Sequence, residues 1–592
     1  MNELHLKSNE IRYVKDEKSW NGNCRACRNI IFGVGEEKMR KLDKLTIPEM
    51  LRSSFAEFKD EKSLVFIGED YRTYTQLKSE VQRVAGLLRD LGIEQGDKIG
   101  LLSNNMPNWG ITFFAISWIG AVAVPILPDF SPAEIENILK HSDAKTLFVS
   151  ENLYNKVQEF ESIKLNHVIL VDTFALIPEN QAKEEITNIP SALSDEVVCE
   201  TSVEVGEDDL ASIIYTSGTT GKSKGVMLTH RNLVWNARQC HTIQEVRSTD
   251  RFLSLLPLSH TFENTLGLLL PIMYGASVYY LKKPPTARVL LPALQEVKPT
   301  LMLSVPLIIE KIYKQQILPK FQKNGIIRAL YKVPFIRKQL HQIAGKKLYE
   351  TFGGKLEFFG IGGAKLDRQA EIFLREAKFP YAIGYGLTET APLLAGAGPG
   401  WTKLQGVGPA LEGVQIKLDN IDPRTGEGEI LAKGPNVMKG YFKEPELTKE
   451  VLTEDGWFRT GDLGVFDKEG YLHMKGRIKN MILGASGENI YPEEIESVIN
   501  NFRHVVESLV VQRKGKLVAL VHLNVEELEE KYHMMRDQAE QFINEKVDET
   551  LKELQSYVNS RVSKFAQVQL VLVQPTPFER TPTQKIKRFL YS

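Results

Sequence analysis

Eleven consecutive residues hold the densest chemistry in the chain: Tyr215-Thr216-Ser217-Gly218-Thr219-Thr220-Gly221-Lys222-Ser223-Lys224-Gly225. Glycines let backbone N–H groups approach phosphate oxygens, hydroxyls donate hydrogen bonds and lysines supply positive charge, so the stretch suits a polyphosphate. An apolar strand-like run, Ala211-Ser212-Ile213-Ile214, leads into it, and a helix is expected to open near Thr229-His230-Arg231-Asn232. Gly221-Lys222-Ser223 looks like the end of a Walker loop. That motif needs glycine five positions before Gly221, and Thr216 stands there. By composition alone, a Ser/Thr/Gly-rich surface turn is the alternative.

Further stretches downstream could serve the same chemistry. Leu256-Pro257-Leu258-Ser259-His260-Thr261-Phe262-Glu263 places one histidine beside apolar sequence, where a satisfied core histidine is the ordinary reading. Phe359-Gly360-Ile361-Gly362-Gly363-Ala364-Lys365-Leu366 is glycine-rich, yet Lys365 fills the position where a dinucleotide fingerprint needs glycine. Gly384-Tyr385-Gly386-Leu387-Thr388-Glu389-Thr390 carries a carboxylate able to serve Mg²⁺, which prefers hard oxygen ligands. Then come Gly456-Trp457-Phe458-Arg459-Thr460-Gly461-Asp462, Lys475-Gly476-Arg477-Ile478-Lys479-Asn480, and a basic ending, Thr581-Pro582-Thr583-Gln584-Lys585-Ile586-Lys587-Arg588.

In this order the stretches resemble the motifs of the adenylate-forming superfamily, the acyl-CoA synthetases, luciferases and adenylation domains, from about Leu45 to the end. The form of the histidine motif resembles the long-chain fatty acyl-CoA synthetases. The resemblance implies that Thr216, Ser217, Gly218, Thr219, Thr220, Gly221 and Lys224 hold the ATP phosphates, and that Thr216 and Glu389 organise Mg²⁺. It implies that Gly362, Gly363 and Ala364 lie against adenine, with Tyr385 stacked on it between Gly384 and Gly386. Thr388 would meet the α-phosphate, Asp462 the ribose hydroxyls, and Arg477 the ribose or a phosphate. His260 would gate the acyl pocket, Lys479 would be the hinge, and Gly487 and Glu488 would border the CoA tunnel. Lys585 would enter the site for adenylation. Two positions depart from the family pattern: Ala485-Ser486-Gly487 replaces two adjacent glycines, and Gln584 replaces a glycine.

The activity so implied is ATP-dependent conversion of a fatty acid to acyl-AMP and pyrophosphate, then transfer to CoA. Acyl carrier protein as acceptor is one alternative. An inactive lipid-binding scaffold is another, disfavoured by the joint presence of Glu389 and Lys585.

Elements must position these residues. A chain of 592 residues is too long for one core. Apolar runs at Lys98–Leu102, 121–125, Thr146–Val149 and 168–171 alternate with amphipathic segments at 77–91 and 132–141, which predicts βαβ units and a mostly parallel sheet. The fold class expected is α/β. The resemblance adds a large N-terminal domain of doubly wound subdomains with a small β-barrel-like part, followed by a small mobile α+β C-terminal domain. The divisions expected are a tail or over-extended start at 1–44, an AMP-binding domain at 45–478 and a lysine-bearing domain at 479–592. The apolar stretch 109–128 contains glycine and prolines, so it reads as a buried helix running into a strand. The run 266–271 suits either an acyl-pocket wall or plain core. The stretch 526–565 reads as one or two amphipathic helices.

A net charge of −1 gives no global attraction to nucleic acid or membrane, and none to nucleic acid is expected. Four cysteines fit a reducing compartment; Cys24 and Cys27 lack the further ligands of a structural zinc site. With no secretory signal, the expected location is cytoplasmic, with peripheral contact at the inner face of the membrane. That contact would use 311–349, which holds ten Lys or Arg and no Asp or Glu, interleaved with apolar residues. A solvated helical face packed on the main domain is the other reading of this segment.

Overall fold

The computed structural model describes residues 39–158, 160, 162–178, 183–216, 223–484, 488–524, 540–581 and 586–591. Cys24 and Cys27 lie outside them, as do Ser217 to Lys222, Gly487 and Lys585.

The alternation read from the sequence folds into two large sheets. The first runs in the order Gly440–Tyr441, Lys224–Thr229, Leu210–Thr216, Val122–Ile126, Lys98–Leu102, Thr146–Val149, His167–Leu170, Leu176–Ile177. Its five central strands are parallel and its outer strands antiparallel. The second runs Leu64–Phe66, Ser277–Tyr280, Arg251–Leu253, Leu301–Ser304, Phe358–Ile361, Tyr381–Gly386, Leu393–Ala397, parallel except for the last strand. Strands expected at 121–125 and 168–171 are displaced by one residue, within the ordinary uncertainty of strand ends.

Helix Pro107–Trp118 joins the sheets. It is apolar around its circumference and touches Leu64–Phe66 of the second sheet and Lys98–Leu102 and Val122–Ile126 of the first. Gly110 permits the approach: a Cβ there would lie 2.9 Å from Leu64 Cδ1 and 3.3 Å from Leu268 Cδ1. The stretch 109–128 is therefore a buried helix followed by the strand Val122–Ile126. No helix among the described residues is long and apolar enough to cross a membrane.

Helix starts follow their caps. Thr73 and Gln76, Ser131 and Glu134, and Thr229 and Asn232 each form reciprocal side-chain to backbone pairs at the N-termini of Tyr74–Asp90, Pro132–Ser142 and His230–Cys240. The helix expected at 77–91 thus begins three residues earlier, where Thr73 caps it.

The small β part is a four-stranded antiparallel sheet, Gln415–Asp419, Gly428–Lys433, Phe458–Phe466 and Leu472–Arg477. It is open; no closed barrel forms among the described residues. Beyond it a small α+β unit packs helices Pro492–Ile499 and Glu540–Asn559 with the sheet Val505–Arg513, Lys516–Leu523, Leu570–Val573. Ile495, Ile499, Val510, Ala519 and Leu554 give this unit a core of its own.

Candidate functional site

The sequence motifs gather where strands of both sheets end. Strands Leu210–Thr216 and Lys224–Thr229 are antiparallel with Thr216 opposite Lys224, so the hydroxyl- and glycine-rich loop closes this hairpin. The loop residues Ser217, Gly218, Thr219, Thr220 and Gly221 lie outside the described residues; Thr216 and Lys224, which frame them, are half-buried. In the second sheet, Phe358–Ile361 pairs in parallel with Tyr381–Gly386, Ile361 opposite Ile383. Gly362 and Gly363 therefore leave the C-terminal end of one strand beside Gly384, Tyr385 and Gly386 on the next. The carboxyl ends of parallel strands are where open α/β sheets bind ligands.

Glu389 connects the two sheets at this edge. It sits in the turn Thr388–Thr390, held by Asn436, whose amide donates to the Thr390 carbonyl at 2.8 Å. The Met438 N–H donates to the Glu389 carbonyl at 2.9 Å, and the Tyr441 hydroxyl donates to its carboxylate Oε1 at 2.9 Å. The Lys224 ammonium stands 5.1 Å from the centre of the Tyr441 ring, a cation–π contact. Thr216, Lys224, Tyr441 and Glu389 are thereby brought to one place. Burial pushes the Tyr441 hydroxyl's pKa upward, so it remains a donor. Gly386 has a steric reason to be glycine: a Cβ there would lie 1.9 Å from the Pro392 carbonyl oxygen.

A second group joins the glycine turn to the small β sheet. Tyr385 is buried and donates to Asp462 Oδ2 at 2.8 Å; Arg477 Nε pairs with Asp462 Oδ1 at 2.9 Å. Asp462 and Arg477 are partners across adjacent strands, so the register sets the pair. The nearby carboxylate holds the guanidinium pKa above its ordinary value. Both Asp462 oxygens are thus engaged, and Tyr385 reaches Asp462 as well as lying at the glycine turn.

The histidine motif meets the other glycine turn. A Cβ on Gly362 would approach the Phe262 ring to 3.1 Å, so the glycine admits the aromatic. His260 is half-buried at the head of the helical segment 261–273. The run 266–271 is wholly buried, with Leu268 packed at Gly110, and belongs to the core. Ala364, next to Gly363 in the chain, is exposed, and Thr388 is half-buried.

Sequence reasoning passed over what lies behind His260. Glu263 is buried, accepting from the Ser254 hydroxyl at 2.6 Å, and Asn105 donates to Ser254 Oγ at 2.9 Å and to the Leu256 carbonyl at 2.6 Å. The buried side chains of Ser259, Thr261, Asn264 and Thr265 carry polar atoms with no hydrogen-bond partner among the described residues. These buried polar side chains lie on the segment that carries His260. The signal available was the motif's final glutamate: a carboxylate three residues from a histidine on an otherwise apolar segment. Burial raises the Glu263 pKa to about 8, against hydrogen bonds from Ser254 and the Leu255 backbone.

This shift gives a stability prediction. Between pH 4.5 and 8 the folded chain keeps a proton on Glu263 that the unfolded chain has released. Its contribution is therefore fully present below the unfolded value, is lost as pH rises, and is flat above about 8. Glu263→Gln is expected to flatten that decline, so the variant's melting temperature gains on the parent's from pH 5 to pH 8. Parallel melting profiles across the range would refute it.

The C-terminal unit faces the same edge. Lys365 lies 3.6 Å from Glu494, Asn501 Nδ2 donates to Asp367 Oδ2 at 2.6 Å, and Lys314 Nζ donates to the Asn500 carbonyl at 3.0 Å. Lys479 is exposed in the short turn Ile478–Asn480 between strand Leu472–Arg477 and the hairpin Ile482–Leu483, Asn489–Ile490. Glu488 is half-buried in that hairpin, its backbone carbonyl accepting from the Gly484 N–H at 2.8 Å; Gly487 lies outside the described residues. Lys585 also lies outside them. Its neighbour Ile586 bridges Arg580, and Arg588 pairs with Glu496 and Glu493.

No group of three or more His, Cys, Asp or Glu among the described residues could hold a metal by protein ligands alone. A single carboxylate, that of Glu389, instead suits a hydrated cation of the Mg²⁺ kind, which needs few protein ligands.

Comparison with known proteins extends this geometry along the chain. The chain is 29% identical to a long-chain-fatty-acid–[acyl-carrier-protein] ligase of Arabidopsis thaliana, over 94% of this chain and 86% of that one. It is 28% identical to the peroxisomal long chain acyl-CoA synthetase 7 of the same plant, over 88% and 80%. The fold matches an O-succinylbenzoate coenzyme A synthetase of Bacillus subtilis, solved in complex with ATP and magnesium ion, with a TM-score of 0.69 and 23% identity, over 92% of this chain and 98% of that one. A model of the AMP-binding enzyme family matches residues 51–442, a span running from the first helix through the phosphate-loop hairpin and Glu389 to Tyr441, and to that family this chain belongs.

Proposed function

We propose that the protein activates a fatty acid with ATP and passes the acyl group to CoA. The observation that carries this reading is the junction at Glu389, where Tyr441, Lys224 and Thr216 meet beside the glycine turns. The fatty acid is supported by relatives named as long-chain acyl-CoA synthetases.

In the first half-reaction a carboxylate oxygen of the fatty acid attacks the α-phosphorus of ATP. A new P–O bond forms, the bond to the β-phosphate oxygen breaks, and acyl-AMP and pyrophosphate result. The protein's work is alignment and charge stabilisation. Lys224 and the loop from Thr216 hold the β and γ phosphates. Glu389 and Thr216 offer oxygen ligands to Mg²⁺, and among the described residues the Glu389 carboxylate receives one hydrogen bond, from Tyr441. When bound, Mg²⁺ neutralises phosphate charge. Tyr385, Gly362, Gly363 and Ala364 bound the adenine, and Asp462 takes the ribose hydroxyls beside Arg477. Lys585 neutralises charge where the carboxylate meets the α-phosphate. His260 gates the acyl pocket, as its motif implies. In the second half-reaction the CoA thiolate attacks the acyl carbonyl and AMP leaves, with the unit from residue 479 onward turning about Lys479 and Gly487 and Glu488 beside the CoA path.

The test is pyrophosphate release from ATP across an acid panel from acetate to palmitate, followed by thioester formation with CoA. Release that rises with chain length is expected. Release with aromatic acids but not palmitate would overturn the substrate class. A second reading, acyl carrier protein as acceptor, is favoured by the relative named for that activity; turnover with carrier protein and none with free CoA would select it.

The hinge assignment makes a separate prediction. Proline at 479 fixes φ near −65° and disfavours helical geometry at Ile478, which lies in the turn. Lys479→Pro is expected to slow conversion of acyl-AMP to thioester by about tenfold, a barrier cost of roughly 1.4 kcal/mol, and to affect adenylation less. Unchanged thioester formation in single-turnover assays would remove Lys479 from the hinge.

A further inference from the structure

The acid-free segment 311–349 folds back on the second sheet through part of its length and then leaves it. Ile317 and Phe321 are buried, and Tyr313 and Tyr331 pack with them near Phe373. Helix Pro334–Thr351 is fastened along its inner face. Arg337 forks onto Glu376, His341 reaches the same carboxylate at 2.7 Å, and Gly345 lies so close to Ala377 that a Cβ would approach it to 2.4 Å. The outer face has no such use. Ile326 is 71% exposed, Phe335 70% and Ile343 70%, values far above those of apolar side chains serving a core. Leu330 and Val333 are exposed between them, and helix Gly325–Tyr331 has no fully buried residue, its anchor being the partly buried Tyr331.

Charge surrounds these side chains. Lys323 just ahead of the first of these helices, Arg328 on it, Lys332 on the link and Lys338 on the second are exposed, and none makes an ion pair among the described residues. On helix Pro334–Thr351, Phe335, Ile343 and Lys346 fall within one outward arc, opposite Arg337 and Leu348. Bulky apolar tips ringed by cations, with no acid from 311 to 349, are complementary to a layer of anionic headgroups above hydrocarbon. A second copy of the chain is a poor occupant, because a two-fold contact would set this basic face against itself.

We infer that the elbow between helices Gly325–Tyr331 and Pro334–Thr351 docks the protein on an anionic lipid surface, with Ile326, Leu330, Val333 and Phe335 entering the interface and the lysines meeting headgroups. No described helix spans a membrane, so the attachment is peripheral and reversible. The inference goes beyond the proposed activity and is read without turnover.

Sedimentation of the full chain with phosphatidylcholine vesicles, with and without phosphatidylglycerol, tests it. Binding is expected only with the anionic lipid and is expected to weaken as salt rises. Two variants separate the contributions. Ile326→Ser with Phe335→Ser, and Lys323→Glu with Arg328→Glu and Lys332→Glu, are each expected to lower partitioning by about tenfold or more. Their melting temperatures and their pyrophosphate release with a soluble short-chain acid should match the parent. Arg337 is left alone because it holds the helix to Glu376. Equal binding to neutral and anionic vesicles, or none to either, overturns the inference. So does anionic binding that neither variant weakens, or loss in the variants of binding to acyl carrier protein alone, which would make the occupant a protein.

Discussion

Lys585→Ala is expected to lower acyl-AMP formation by roughly 10²-fold or more, the scale for loss of one transition-state charge partner. Carboxylate oxygen and α-phosphate both carry negative charge as they approach, and a positive group between them acts chiefly while the new bond forms. Thioester formation from supplied acyl-AMP has no such approach of two anions, so it should be largely spared. Pyrophosphate release and single-turnover thioester formation, measured on the same variant, separate the two. Equal loss in both half-reactions would sink the assignment. The flanking structure gives a control: Arg588 is fixed to Glu496, whose carboxyl burial lifts to about 7 against the pull of Arg588. Arg588→Ala should therefore loosen the lysine's neighbourhood and harm the unit's stability, whereas Lys585→Ala should leave melting unchanged.

The second large effect is expected at Tyr441. Its hydroxyl donates to Glu389 and its ring receives Lys224, so one side chain orients the carboxylate proposed to hold Mg²⁺ and the lysine proposed to bind phosphate. Tyr441→Phe keeps the ring and removes the hydrogen bond. Partners that orient a metal ligand typically cost about 10- to 100-fold in metal affinity or activity when removed. The half-saturating Mg²⁺ concentration for pyrophosphate release is expected to rise by that factor, with the dependence on fatty acid little changed. An unaltered Mg²⁺ titration would show that Glu389 is oriented by its turn alone.

Thr216, Lys224 and Glu389, picked out of the sequence by residue type and order, are brought together by the fold. Glycine at 386 and 362 is dictated locally, by the Pro392 carbonyl and the Phe262 ring. What the linear order hides is which motifs touch. Nothing in the spacing of Tyr441 from Glu389, or of Asp462 from Tyr385, announces a hydrogen bond between a strand and a turn of another sheet in the one case and between strands of different sheets in the other. Asn105, Ser254 and Glu263 escaped for the same reason, being joined across 149 and nine positions. Strand positions were legible wherever apolar runs were short and bounded. Helix starts were missed where a cap such as Thr73 with Gln76 set them ahead of the apolar period. A barrel-like part was expected from the resemblance, and the four strands there remain an open sheet, since the register of adjacent strands gives no hint of whether a sheet closes.

The helix Pro107–Trp118 has a bearing on synthesis. Its surface toward the second sheet is covered by Leu64–Phe66, a strand whose own neighbour is Ser277–Tyr280, with Leu64 opposite Val278. A chain emerging from the ribosome presents this helix more than 150 residues before that neighbour exists. Over that interval the side of the helix at Gly110, which meets Leu64 and Leu268 in the finished fold, has no complete shelter, and contacts this distant in sequence form late. The helix face that joins the two sheets therefore stays open to a nascent-chain chaperone until the later strands are made.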